Sequence, residues 1–297
     1  MKNLLSINDL SKNEILDLIN LSIKIKKNPS KYENKLKNKT MFMFFKKPSL
    51  RTRVSFEVAM NQLGGSALNY DLSNSPLNQG KETIEDTAKV ISKYCDLVVG
   101  RVFDHNTLKN FSQNSTIPVI NALSNYEHPC QVLGDLLTIK EKFNTFNVKI
   151  TYLGDANNNV THSLIFAANK IGFNMGIACP DKKEYLPKVK LGKVKIYHNA
   201  EEAVKNSHIL YTDSWMSYHI PKKEKPKRIK DLKEFQVTSK LIKKADKDAI
   251  FMHCLPALRG EEVTSEVIDG RQSIIFDQAE NRLHVQKSLI LKLLKKI

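Results

Sequence analysis

Arginine is scarce in this chain of 297 residues. Of its 47 basic residues only seven are arginines: Arg51, Arg53, Arg101, Arg228, Arg259, Arg271 and Arg282. Long apolar runs are missing as well. No stretch approaches the roughly 18 consecutive apolar residues that a membrane-spanning helix needs, so a membrane partner is not expected. Met1 to Lys12 lacks the charged-then-apolar layout of a secretory signal. The four cysteines, Cys95, Cys130, Cys179 and Cys254, are too few and too scattered for a disulfide framework, which points to a reducing cytoplasm. No internal repeat and no long low-complexity segment interrupts the chain.

What is present is an ordinary apolar fraction of 41%, enough for a real core, and a formal net charge of +16. Such a charge raises the question of a nucleic-acid partner. The charge comes from lysines spread along the chain, with local runs at Lys24 to Lys39 and Lys222 to Lys233. These runs read as solvated helix faces and loops, and basic residues are not interleaved with aromatics. Nucleic acid is therefore not the expected partner. A basic nucleic-acid-binding α/β protein stays as the rival of a different class, and it would leave the arginines unexplained.

The pattern is one of strand, loop and helix in repetition. Thr40 to Phe45, Cys95 to Val99 and Ile117 to Ala122 are short apolar runs suited to strands buried on both faces. Thr52 to Leu63 has a helical period and stops at Gly64-Gly65. Cys130 to Ile139 reads as another helix. A second series follows, with strands at Lys149 to Leu153, Ile177 to Cys179, Ile209 to Thr212 and Ala249 to His253, and a helix at His162 to Ile171. The expected fold is therefore α/β: two domains, each a parallel sheet flanked by helices. The first covers 1–140 and is completed by the C-terminal helix 279–297, which returns to it. The second covers 141–278.

Ligands of such sheets bind at the carboxyl ends of the strands, and the unusual residues cluster there. The segment Lys46 to Arg53 opens a helix, whose free N–H groups attract phosphate. Ser49 and Thr52 add hydroxyls, and Arg51 and Arg53 add planar, bidentate donors that a lysine cannot match. Arg101 ends another strand. His128, before Pro129, can polarise a carbonyl oxygen, and Gln131 can hold an amide. In the second series Asn157, Asn158, Asn159 and Asp213 suit a zwitterionic amino-acid head, although an Asn run by itself is more often turn chemistry. Cys254 can be a nucleophile, a metal ligand or a hydrogen-bonding partner. The metal reading is weak, because adjacent strand residues such as His253 and Cys254 point to opposite faces.

Taken together these segments resemble the transcarbamoylase family, and within it the enzymes that use ornithine. Ser49-Leu50-Arg51-Thr52-Arg53 resembles the family's Ser-Thr-Arg-Thr-Arg phosphate loop. His128-Pro129-Cys130-Gln131 and His253-Cys254-Leu255-Pro256 match its His-Pro-Cys-Gln and His-Cys-Leu-Pro. Glu280-Asn281-Arg282 stands in the expected C-terminal place. The resemblance implies transfer of the carbamoyl group of carbamoyl phosphate to the side-chain amine of L-ornithine, with no metal and no cofactor. It implies that Ser49, Leu50, Arg51, Thr52, Arg101, His128, Gln131 and Arg282 bind carbamoyl phosphate. Asn159, Asp213, Ser217, Tyr218, Cys254 and Leu255 would bind ornithine, and Arg101, His128 and Cys254 would carry the chemistry. A homotrimer, or a multiple of it, is implied too, with a neighbouring subunit contributing from Ser75 to Glu82, where Gln79 and Lys81 are the candidates. A cis Leu255-Pro256 bond is a further implication. Two departures stand out. Leu50 replaces a threonine, which removes a hydroxyl and keeps the N–H. Tyr218-His219 replaces the usual Met-Gly of the closing loop, so another amine, such as putrescine, is the rival substrate.

Overall fold

The computed structural model describes residues 1–297 except Pro48, Leu72 to Asn74, Pro76, Asn78, Tyr218 and His219, and the side chain of Asp71. The chain forms two compact units, Met1–Thr138 with Glu280–Ile297, and Ile139–Ala279.

In the first unit α1 (Lys12–Lys27) starts at a capping box. Ser11 accepts the Glu14 N–H while the Glu14 carboxylate accepts the Ser11 N–H. The sheet is built of β1 (Thr40–Phe45), β2 (Ser66–Asp71), β3 (Leu97–Arg101) and β4 (Val119–Leu123), all parallel, in the order β2-β1-β3-β4. β3 and β4 are buried throughout and β1 through its centre, as their unbroken apolar runs require. β2 is the edge, and its Leu68 and Tyr70 are exposed. Helices α2 (Leu50–Gln62), α3 (Ile84–Tyr94), α4 (His105–Asn114) and α5 (Pro129–Phe143) connect or follow the strands. Register sets the site: Phe45 pairs with Arg101, and Arg101 with Leu123. The loops that follow β1 and β4 therefore start beside Arg101, at one end of the sheet.

The second unit has the strands β5 (Lys149–Leu153), β6 (Asn174–Ala178), β7 (Lys195–Tyr197), β8 (Ile209–Thr212) and β9 (Ile250–His253). All are parallel, in the order β7-β6-β5-β8-β9. Its helices are α6 (Asn159–Ile171), α7 (Ala200–Val204), α8 (Lys225–Leu232), α9 (Ser239–Ile242) and α10 (Ser265–Ile268). A core of Leu153, Leu210, Phe235, Phe251, Val263 and their neighbours fills one side of this sheet. Leu153 pairs with Thr212, and Thr212 with His253, so Gly154, Asp213 and Cys254 leave three adjacent strand ends together.

The last helix, α11 (Ile275–Leu293), does return to the first unit from Glu280 on. Ser288 shares a hydrogen bond with Ser22 of α1, and Asn281 donates to the Thr138 hydroxyl of α5. Gly134 allows this approach: a Cβ there would lie 3.1 Å from Cγ of Arg282. The parallel two-sheet architecture is the expected one. Among the described residues no helix is long and apolar enough to cross a membrane.

Candidate active site

At the end of the first sheet, α2 begins two residues earlier than its apolar period suggests. Ser49 is its N-cap and accepts the Thr52 N–H, so Leu50, Arg51 and Thr52 form the first turn. Leu50 turns its side chain to solvent and can serve a ligand only through its N–H. Thr52 is buried, and its hydroxyl accepts from two guanidinium groups: Arg282 Nη2 at 2.8 Å and Arg101 Nη1 at 3.4 Å. One hydroxyl thus orients both arginines. Arg53 faces solvent, 3.9 Å from Glu57 one turn on, apart from this cluster.

His128 lies buried among these cations. Burial drives its pKa well below the usual 6.5, and the charges of Arg282, Arg101, Lys47 and Arg51 push the same way. The imidazole is neutral at physiological pH and suited to donate to a carbonyl oxygen. Gln131 spends its amide N–H on Asp135 at 2.9 Å and keeps its carbonyl oxygen without a partner among the described residues. Cys130 is a core thiol. Burial pushes its pKa up to about 12, and it faces the Asn121 carbonyl. Lys47 and Asn125 also belong to this edge, joined by a hydrogen bond. Sequence reasoning passed over Lys47, one lysine among forty.

In the second unit Asp213, Asn157 and Asn158 are already partnered. Asp213 Oδ1 accepts from the Ser214 N–H at 2.7 Å and from Cys254 Sγ at 3.0 Å. Asn158 is the N-cap of α6: its Oδ1 accepts the Thr161 N–H, and its Nδ2 donates to the Tyr152 hydroxyl and the Asp155 carbonyl. The Asn158 amide is therefore consumed by the fold, and Asn157 donates to Glu184 O. Asn159, in the first turn of α6, is half-buried, as is Ser217. Tyr218 and His219 lie outside the described residues. Gly154, at φ +113°, lets the chain pass Trp215, whose Nε1 would lie 2.9 Å from a Cβ there.

Arg228 holds these loops together. It is buried, pairs with Asp155, donates Nε to the Trp215 carbonyl at 2.7 Å and lies 5.0 Å from the centre of the Tyr185 ring. The lysine-rich run that reads as a solvated face thus carries a buried arginine. Its rarity was the signal that could have found it. Burial raises the Asp155 pKa and outweighs Arg228, which lowers it.

The Leu255-Pro256 peptide is cis, and Leu255 has φ 56°, a region that branched residues seldom enter. The Leu255 N–H donates to His253 Nδ1 at 2.9 Å, and Nε2 of that ring lies 3.3 Å from Glu262 Oε1, both side chains fully buried. Asp213, His253 and Cys254 bring one ligand atom each to within 4.8 Å of one another. Strand alternation does not separate His253 from Cys254, because β9 ends at His253 and Cys254 lies past it. The His253 Nδ1 is nevertheless taken up by the Leu255 N–H, and its Nε2 lies beside Glu262, so the ring braces the Cys254-Leu255 turn.

A model of the aspartate/ornithine carbamoyltransferase carbamoyl-P binding domain matches residues 2–141, and one of the Asp/Orn binding domain matches residues 146–293. The chain belongs to the aspartate/ornithine carbamoyltransferase family. It is 46% identical to the ornithine carbamoyltransferase of Archaeoglobus fulgidus over 305 residues, covering 100% of this chain and 98% of that protein. The enzyme of the same name from Methanosarcina mazei is 46% identical, with 99% of each covered. Among solved structures, ornithine carbamoyltransferase from Pyrococcus furiosus superposes with a TM-score of 0.93 at 41% identity, covering 100% of this chain and 98% of that one. The Giardia lamblia ornithine transcarbamoylase gives 0.90 at 38%, covering 99% and 98%. The family's two-domain α/β architecture is thus shared over the whole chain.

Proposed function

We propose that this chain transfers the carbamoyl group of carbamoyl phosphate to the side-chain amine of L-ornithine, giving L-citrulline and phosphate. Family membership and the names of its relatives support the reaction class and the amine. The observation that carries the first half is the Thr52 hydroxyl, which aligns Arg101 and Arg282 beside a neutral His128. Ser49, the Leu50 N–H, Arg51, Thr52 and Arg101 bind the phosphoryl group. His128, Arg101 and Arg282 stabilise the charge that grows on the carbamoyl oxygen, and the Gln131 carbonyl accepts from the carbamoyl NH₂. In the second unit Asn159, Asp213, Ser217 and Tyr218 hold the amino-acid head, and Asp213, Cys254 and Leu255 place the side-chain amine. The neutral amine nitrogen bonds to the carbamoyl carbon, the C–O bond to phosphate breaks, and the nitrogen loses a proton. The protein's contribution is orientation and charge stabilisation, with no covalent intermediate.

A homotrimer belongs to the same reading. It is supported by the exposed apolar residues Leu68 and Tyr70 on edge strand β2 and Val90 and Tyr94 on α3, which are suited to burial against a copy. Four cysteines without disulfides support a reducing, cytoplasmic setting. The test is product identification from purified protein, carbamoyl phosphate and a panel of ornithine, putrescine, lysine and aspartate. Citrulline as the dominant product supports the reading. Carbamoylputrescine formed as readily, or no carbamoylated amine, would refute it.

A further inference from the structure

Lys47 is a buried cation with no acidic partner among the described residues. It is 4% exposed. Its ammonium has three N–H groups. One donates to Asn125 Oδ1, and Nζ stands 4.5 Å from the centre of the Phe103 ring. An amide and a ring face are weak compensation for a desolvated charge, and such a charge calls for an anion. The charges around it are of its own sign. Arg101 acts on it directly, and Arg51, Arg101 and Arg282 share with it the neighbourhood of His128. The carboxylate on the adjoining loop, Glu127, is buried and accepts the Ile7 N–H on Oε2.

We propose that the Lys47 ammonium serves the phosphoryl dianion, so that carbamoyl phosphate binds together with the Lys47 proton. The inference rests on the anion-site reading given above and deepens it. Burial, and then Arg101, lower the Lys47 pKa to about 8, so in the empty protein the proton is lost just above neutrality. A bound dianion offsets the surrounding positive charge and restores the proton. No other group of this site titrates there. The arginines stay charged. His128 lies well below 6.5, burial holds the Tyr126 hydroxyl above its usual 10, and Cys130 is at about 12.

The sign of the stability effect separates this role from that of a pin for the Asn125 loop. The folded pKa lies below the roughly 10.4 of an unfolded lysine, so the unfolded chain binds more protons between the two values. The charged side chain therefore costs stability below about pH 8. Lys47→Met should raise Tm at pH 7, whereas removing a pin would lower it.

Calorimetric titration of the full protein with carbamoyl phosphate alone, in two buffers of different ionisation heat, tests the proposal. For the wild type the affinity should hold from pH 6.5 to 7.5 and then fall about tenfold per unit above about pH 8, with uptake approaching one proton at pH 9. Lys47→Met should bind about tenfold more weakly at pH 7, about 1.4 kcal/mol, without proton uptake. Lys47→Arg, whose charge is fixed, should bind with no decline up to pH 9, which keeps the test decisive if the Met variant folds poorly. Wild-type binding without proton uptake, or wild-type pH dependence in either variant, overturns the role of Lys47 alone. No binding of carbamoyl phosphate at any pH overturns both this role and the site that it belongs to.

Discussion

The polar clusters of the two units are balanced in opposite ways. In the first, Lys47, Arg51, Arg101 and Arg282 crowd one neutral imidazole, and the single hydroxyl of Thr52 accepts from two of the arginines. On the proposed reading, the phosphoryl group would supply negative charge there. In the second, the polar groups are answered from within: the carboxylates of Asp155 by Arg228 and of Asp213 by Ser214 and Cys254, and the amide of Asn158 by its own helix. On the same reading, an amino-acid head would exchange bonds there rather than fill a charge deficit. Substitutions in the first set should therefore act mainly on anion binding. Those in the second split into changes that loosen the fold and changes that loosen the amino acid.

The largest effect is expected at Arg51. Arg51→Ala should lower kcat/KM for carbamoyl phosphate by about 1,000-fold or more, on the scale of a lost charge-stabilising donor, with Tm little changed. Near-normal turnover would break the contrast at its cationic side. Next comes Arg228→Met, which strands Asp155 in a buried site. Breaking such a pair costs about 3 kcal/mol of stability, to be read by denaturant unfolding. The sign follows from Arg228, which lowers the Asp155 pKa against burial; without it the folded carboxyl titrates higher still. The folded variant binds more protons than the folded wild type as the pH falls, so the loss is largest at neutral pH and shrinks as the solution is made acidic. A variant as stable as wild type would show that the second unit is not held by that pair.

Asp213→Asn should cost about 2 kcal/mol in kcat/KM for ornithine, roughly 30-fold, while ornithine stays preferred over putrescine and N-acylated ornithine, neither of which has a free zwitterionic head. Unchanged kinetics would mean that the amino-acid head is held elsewhere. The smallest expected effect is none. Because His128 is kept neutral by burial and by the cations around it, kcat/KM for carbamoyl phosphate should show no acid-side fall near pH 6.5. A fall there that disappears in His128→Asn would show that the imidazole is charged in the working site.

The central strands were legible because burial on both faces leaves an unbroken apolar run. Thr40–Phe45, Lys149–Leu153 and Ile209–Thr212 fall where the sequence places them. The edge strands β2 and β7 were not legible. SALNYD and KIY carry little apolar signal, because one side of each faces solvent. Helix starts moved for a similar reason. The apolar period begins after the cap, so Ser49 and Asn158 look like loop residues although each closes the first turn of its helix. Arg51, Arg101 and Arg282 lie around His128, whereas Arg53, which the sequence groups with Arg51, faces solvent. Rarity, applied to all seven arginines, would also have singled out Arg228. Lys47 could not be found in this way, since its burial depends on Phe103 and Asn125, far along the chain.

The most direct test of the division of labour is the dissociation constant of carbamoyl phosphate, measured without amine, for wild type, Arg51→Ala and Asp213→Asn. Binding should be lost in Arg51→Ala and unchanged, within about twofold, in Asp213→Asn. Equal loss in both variants, or full binding by Arg51→Ala, would contradict that division.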